Sequence, residues 1–205
     1  NAFFTRTENH VLSICEAVGR ITGSGKDSRR ALQAFIRKAD MATVGTITYK
    51  NDKGKVETTP LRVSNALFIL AMWEQSQYRE IMEKRGISEE QIESLKAKIA
   101  SIDEHYLDFK DWVVQEFLPS TRLEYNEVHK QVFGASMDNI PNYFPAKVVE
   151  GYREADIANN ESGLPSTMTG SIITRQKHNN MPDFGQSFFS VLLNHVQNMD
   201  QWASF

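Results

Sequence analysis

The stretch "ALFILAMW", residues 66–73, is the longest uninterrupted apolar run in the chain. It is far shorter than the about 20 apolar residues that a membrane-spanning helix needs, so we predict no membrane span. The run belongs to a helical pattern, in which Thr59 can serve as the N-cap and Pro60 suits the first helical position. The sequence therefore predicts a helix that begins near Thr59 and carries a large apolar surface.

The residues before this helix have the period of paired strands. β-branched and aromatic residues lie on both sides of the turn quartet "NDKG", residues 51–54, whose glycine tolerates a positive φ. This pattern predicts a β-hairpin at about residues 43–58, with strands at about 43–49 and 55–58. Because a lone hairpin is only marginally stable, we expect it to lie against the helices.

Helical spacing accounts for most of the remaining chain. Apolar periodicity predicts helices at about residues 7–22, from about Ser28, at about 103–133 and at about 183–204. Pro119 is expected to break or kink the third of these helices, because proline lacks the backbone N–H. The second helix has an apolar stripe formed by Ala31, Leu32, Phe35, Ile36 and Ala39.

A further helix has the clearest start signal in the chain. Ser88 followed by Gln91 fits a capping box, and Ile87 with Ile92 fits the accompanying hydrophobic staple. We predict that this helix begins at Ser88.

These elements predict a mainly α fold: an irregular helical bundle with one small β-hairpin and a long polar loop or arm. We expect a helical domain at residues 1–150, a loop or arm at 151–182, and a C-terminal helix at 183–205. That last helix would pack on the domain or on a partner. The arm is predicted because its sequence is rich in Asn, Ser, Thr and Gly.

The composition excludes several classes of protein. The net charge of −3 and the pI near 6.0 argue against nucleic acid as the main partner. The single cysteine, Cys15, excludes an internal disulfide and a cysteine-rich zinc site. "GRITGSGKDS", residues 19–28, departs from the phosphate-binding loop, because Asp27 stands where Ser or Thr is required. We therefore predict no cofactor and no metal.

The candidate catalytic groups are acidic and histidine side chains. Glu104 and Asp108 share a helix face beside His105, but interleaved charges favour a solvated surface. His195 lies on the apolar face of the last helix, which favours a core or interface histidine over a catalytic base. We therefore favour a non-enzymatic role and assign no catalytic residue.

Two sets of residues are candidates for contacts with other molecules. The segment "IPNYFPAK", residues 140–147, is forced into an extended shape by its prolines, and its aromatic side chains are expected to tuck against the helices. The interaction residues that we predict are Tyr143, Phe144, Pro145, His195 and Trp202. The residues that we consider for nucleic-acid contacts are Arg29, Arg30, Arg37 and Arg175.

The order of several segments resembles a known family. These segments are "TTPLRVSNALFIL", "RGISEEQIESLKAKI", "DFKDWVVQEF", "YNEVHKQVFG", "NIPNYFPAK", "TGSIITRQ" and "FFSVLLNHVQNMDQWASF". Over about residues 59–205 the chain resembles parts of very large phage and prophage proteins, the polyvalent proteins, some of which are thought to be packaged in the virion. The resemblance implies a helical, non-catalytic or uncharacterised module between better-known enzyme domains, located in the virion or the host cytoplasm, and it assigns no catalytic residues.

Three functions follow as alternatives. The first is a non-catalytic structural or interaction module of a phage-encoded, virion-associated multidomain protein, with other domains or chains of a phage assembly, or a second copy, as partners. The second is an enzyme or nucleic-acid-processing domain whose site is assembled from Glu104, Asp108, His105 or His195. The third is a DNA-contacting module that uses the four arginines.

Overall fold

Two helices begin the fold in the computed structural model, which describes residues 2–146 and 181–204. Helix α1 spans Ala2–Ile21 and helix α2 spans Arg29–Met41. The start of α2 is confirmed, because Ser28 is its N-cap and the Ser28 Oγ accepts a hydrogen bond from the Ala31 N–H at 3.2 Å. Helix α1 begins earlier than predicted, since the apolar stripe identifies only its buried part.

The predicted hairpin is confirmed, although its second strand is longer than expected. Strand β1 spans Thr43–Lys50 and pairs antiparallel with strand β2, Val56–Arg62. In the turn, the Asn51 Oδ1 accepts hydrogen bonds from the Lys53 N–H at 2.9 Å and the Lys55 N–H at 3.0 Å. This side chain therefore fixes the turn between the strands.

The predicted helix start at Thr59 is wrong. Pro60 lies in β2 opposite Thr46, and helix α3 begins at Val63 and ends at Trp73. Both strands of a two-stranded sheet are edge strands, where the missing N–H of a proline is tolerated. The Asn65 side chain accepts a hydrogen bond from the Arg62 N–H at 3.0 Å, which caps the start of α3.

Two more helices follow α3. Helix α4 spans Ser76–Lys84 and helix α5 spans Glu89–Asp103. The Ser88 cap is confirmed, since its Oγ accepts from the Gln91 N–H at 3.3 Å. The Gln91 Oε1 accepts from the Thr48 N–H at 3.4 Å, so this side chain also joins α5 to the hairpin.

The long helical stretch toward residue 133 is interrupted by one irregular turn. Helix α6, His105–Trp112, continues through a π-helical segment, Val113–Phe117, into helix α7, Leu118–Phe133. In the π-helical segment the Leu118 N–H donates to the carbonyl of Val113. Because Pro119 in the first turn of α7 lacks an N–H, the regular hydrogen-bond ladder cannot pass this point. The expected disturbance at Pro119 therefore takes the form of a π-helical turn.

The last helix begins later than predicted. Helix α8 spans Phe188–Trp202, with Ser187 as its N-cap. Asp183 forms a turn before it, because its Oδ1 accepts from the Gly185 N–H at 2.9 Å and its Oδ2 from the Gln186 side chain at 2.8 Å. Apart from Met181 and Pro182, which are buried, the predicted arm lies outside the described residues.

Helix α3 is the centre of this mainly α fold. Nearly every side chain of α3 is buried, including all of Ala66–Trp73, as expected for a helix that is apolar all round. It packs against α2, α4, α5, α6, α8 and both strands, while α1 packs against α2, α6 and α8. None of the described helices is long and apolar enough to cross a membrane.

Candidate functional site

Two of the three predicted interaction residues in the segment at residues 140–147 pack inside the molecule. Phe144 and Pro145 are buried, and the Phe144 ring stacks on Phe188 with ring centroids 4.5 Å apart. Tyr143 is half-buried and meets the ring of His195 edge-on, at 5.8 Å between centroids. The aromatic side chains therefore tuck against α8 as expected, and their role in contacts with another chain stays a prediction.

Trp202 of α8 lies beside the C-terminal end of α7. Its ring is 6.2 Å from that of His129, which is 4.8 Å from Phe133. Arg6 donates a hydrogen bond to the carbonyl of Ala203 at 2.8 Å, which brings the first turns of α1 to the same end. We call Val132, Phe133 and Trp202, at the C-terminal ends of α7 and α8, the end surface; Val132 and Phe133 are 61% and 43% exposed.

The arginines considered for nucleic-acid contacts are exposed where the structure describes them. Arg29 forms an ion pair with Glu8 of α1, while Arg30 and Arg37 lie on the exposed face of α2. Arg175 lies outside the described residues. Contact of these arginines with phosphates stays a prediction.

The candidate catalytic groups occupy separate environments. Glu104 and Asp108 are exposed, His105 holds Asp103 through its Nδ1 at 2.7 Å, and His195 packs at Tyr143. Asp108 does line a groove of about 380 Å³ together with Arg20, Asp111 and Trp112. Among residues 2–146 and 181–204, no group of three or more His, Cys, Asp or Glu side chains is arranged to hold a metal ion.

Cys15 is fully buried in the apolar stripe of α1. Burial raises the pKa of its thiol, with the charges of neighbouring groups as smaller influences. Since the thiolate is the reactive form, Cys15 is a packing residue rather than a nucleophile.

A cluster that the sequence did not indicate joins three helices. His10 of α1 contacts Asp200 of α8 through its Nδ1, at 2.9 Å and 3.1 Å from the two carboxylate oxygens. The Tyr125 hydroxyl of α7 donates to the same Asp200 Oδ1 at 2.9 Å. On the other side of the ring, the His10 Nε2 is 3.3 Å from the Glu124 Oε2. We call these four residues the His10 cluster.

Burial and neighbouring charges shift the pKa of His10 in opposite directions. Burial is the largest single influence and lowers its pKa, but the hydrogen bond and charge of Asp200, together with Glu124, outweigh it. The pKa of His10 is therefore raised above 6.5. Burial and the charge of Asp200 also raise the pKa of the Tyr125 hydroxyl, so this group stays a neutral donor.

The His10 cluster borders a groove. The groove has a volume of about 450 Å³ and is lined by Thr5, Arg6, Asn9, His10, Ser13 and Glu124. Asp200 is fully buried and orients the ring from behind, while the Nε2 lies on the groove side with Glu124. Such an arrangement can hold a proton on His10 and exchange it with the groove.

The sequence carried only faint signals of this cluster. His10 precedes Ile14, Ala17 and Val18 in the buried stripe of α1, and Asp200 lies one turn after Val196 on the apolar face of α8. A histidine and an acidic residue on two apolar faces are candidates for pairing. Their separation of 190 positions, however, leaves no linear motif that links them.

Comparisons with known proteins give no relative from which a role could be assigned. No family model matches the chain, and neither a curated protein nor a solved structure is significantly similar to it.

Proposed function

We propose that this chain is a non-catalytic structural or interaction module of a phage-encoded, virion-associated multidomain protein. The observation that carries the proposal is the end surface, where apolar side chains from the C-terminal ends of α7 and α8 lie on either side of His129. Exposed apolar side chains gathered in one place are typical of contacts between proteins. The resemblance of residues 59–205 to polyvalent phage proteins supports a phage assembly as the source of the partner.

The location is tested by mass spectrometry of purified, nuclease-treated phage particles induced from the source organism. Peptides of this chain are expected in the particles. If the chain is abundant in the induced cells but missing from the particles, the virion-associated role is wrong.

The interaction surface is tested in the same particles with matched variants. The double variant Val132→Ser, Phe133→Ser should lower the number of copies per particle, because it removes apolar contact area from the end surface. Leu123→Ser is the control, since Leu123 is an exposed α7 residue outside that surface. Equal incorporation of wild type and both variants would show that the end surface holds no partner in the particle.

A second candidate function is an enzyme with a site built from acidic and histidine residues. The observation that favours it is the pairing of His10 with buried Asp200 beside a groove. The Asp200 carboxylate orients the ring through the Nδ1, and the Nε2 can exchange a proton with Glu124 and the groove. The test is hydrolysis of p-nitrophenyl acetate and of bis(p-nitrophenyl) phosphate by wild type and by His10→Gln, with folding checked by circular dichroism. A rate that is the same in both proteins removes this candidate.

A further inference from the structure

The two nitrogens of His10 tie α1 to two different helices. The Nδ1 contacts Asp200 of α8, and the Nε2 contacts Glu124 of α7. A protonated imidazole donates from both nitrogens, whereas a neutral imidazole donates from one and accepts at the other. When His10 loses its proton, only one of the two contacts can keep its hydrogen bond.

The burial of the two carboxylates decides which contact is kept. Asp200 is fully buried and accepts hydrogen bonds from His10 and Tyr125, while the Glu124 side chain is 52% exposed. A buried carboxylate that loses a donor bears a large desolvation cost, but an exposed one recovers its hydrogen bonds from water. Neutral His10 therefore keeps its proton on the Nδ1, facing Asp200.

We propose that the protonation state of His10 controls the contact between α1 and α7. The contact of His10 with Glu124 forms when the imidazole is protonated and is lost when it is neutral, while the contact with Asp200 of α8 persists in both states. In the neutral form the lone pair of the Nε2 faces the Glu124 carboxylate, and two acceptors repel each other. Glu124 then turns to water, and the groove between α1 and α7 gains a hydrogen-bond acceptor on its wall. The Nε2 is therefore occupied by Glu124 at low pH and offered to the groove as an acceptor at higher pH.

Few titratable or charged groups of the described residues face His10 from the neighbouring elements. From α7 it is faced by Glu124 and by Tyr125, which the raised pKa keeps neutral, and from α8 by Asp200. The guanidinium of Arg6 lies in the same groove, one turn away on α1. The pKa of His10 in the folded state is raised above 6.5. The contact between protonated His10 and Glu124 therefore stabilises the fold fully below pH 6.5, and this contribution is lost as the pH rises through the higher pKa of the folded state.

The first test is an imidazole ¹⁵N NMR titration of the folded chain. The expected result is that the Nε2 of His10 loses its proton while the Nδ1 keeps it, with a pKa above that of an unperturbed histidine. Glu124→Gln should lower this pKa, because the variant removes a negative charge beside the Nε2. Glu127→Gln is the matched control on α7, where Glu127 pairs with Lys130 at 3.0 Å, and it should titrate like wild type.

The second test measures how much the contact between His10 and Glu124 stabilises the fold, through the effect of Glu124→Gln on thermal unfolding. The variant should lower the Tm at about pH 5.5, where His10 is protonated, and should leave it unchanged at about pH 9. Glu127→Gln should show the same small difference from wild type at both pH values. The proposal is overturned if the Nδ1 loses the proton, if the pKa of His10 is unchanged in Glu124→Gln, or if the Tm difference does not depend on pH.

Discussion

Replacement of Phe144 by alanine is expected to be one of the most destabilising single changes in the chain. Phe144 is fully buried, stacks on Phe188 of α8 at 4.5 Å and meets Phe68 of α3 at 6.3 Å between ring centroids. The variant would leave a cavity between α3 and α8, where close packing prevents full collapse. We expect the free energy of unfolding to fall by about 3–5 kcal/mol, the usual range for a buried Phe→Ala change.

The assay is urea unfolding followed by circular dichroism, with a thermal scan as a second measurement. A loss of this size corresponds to a Tm lower by roughly 6–20 °C for a chain of about this length. Phe4→Ala is the control, because Phe4 is exposed and its loss should change stability by at most about 0.5 kcal/mol. If Phe144→Ala costs less than about 1 kcal/mol with an unchanged m-value, the segment around residue 144 is not part of the core.

Three further changes follow from other contacts. Asp200→Asn should cost about 3 kcal/mol near pH 6 and less near pH 9 in urea unfolding, because the stabilising charge on His10 is lost as the pH rises through its raised pKa. Lys38→Met should cost at most about 0.5 kcal/mol at neutral pH, since the Lys38 side chain is 55% exposed. It should also raise the pKa of Asp103 in a ¹³C-carboxyl NMR titration. Burial acts to raise that pKa, but hydrogen bonds from Lys38 and His105 hold it below its usual value of 3.8. Gly45→Ala should cost about 1–3 kcal/mol, because its φ of 110° strains a side chain, whereas the Lys98 Nζ at 3.1 Å from the new Cβ is the end of a flexible side chain and can move away.

For each of these three substitutions, one outcome would contradict the physical explanation given for it. An Asp200→Asn loss that is equal at both pH values would mean that the charge of His10 does not stabilise the fold. The Asp103 carboxylate contributes its full stabilisation of the fold above pH 3.8, and this contribution is lost as the pH falls through the lowered pKa of Asp103. If the pKa of Asp103 is unchanged in Lys38→Met, Lys38 is not what lowers that pKa. For Gly45, the comparison is Gly54→Ala, where φ is 73° and no atom lies within 4 Å of the added Cβ. A loss in Gly45→Ala with none in Gly54→Ala would mean that the contact with Lys98, and not backbone strain, accounts for the cost.

The features that the sequence predicted depend on neighbouring residues. Ser28 and Ser88 cap their helices through N–H groups three positions ahead, and the hairpin turn is fixed by Asn51 within its own loop. Such hydrogen bonds need no information from distant parts of the chain. Where two local signals competed, the prediction failed: Thr59 and Pro60 fit a helix start, but pairing with β1 extends the strand to Arg62. A partner strand can override a local preference, because cross-strand contacts contribute as much as the cap.

The His10 cluster could not be predicted for a related physical reason. Its hydrogen bonds join residues 75 and 190 positions apart, so they exist only after α1, α7 and α8 have packed. Hydrophobic periodicity indicates which face of each helix is buried, but it does not say which polar residue on one face meets which on another. Asp200 cannot be buried as an unpaired charge, so the packing of the three helices and the pairing of Asp200 with His10 must form together. The register of α8 against α1 is therefore specified by this polar contact as well as by apolar packing. A shift of either residue by one turn along its helix would break the contact between His10 and Asp200.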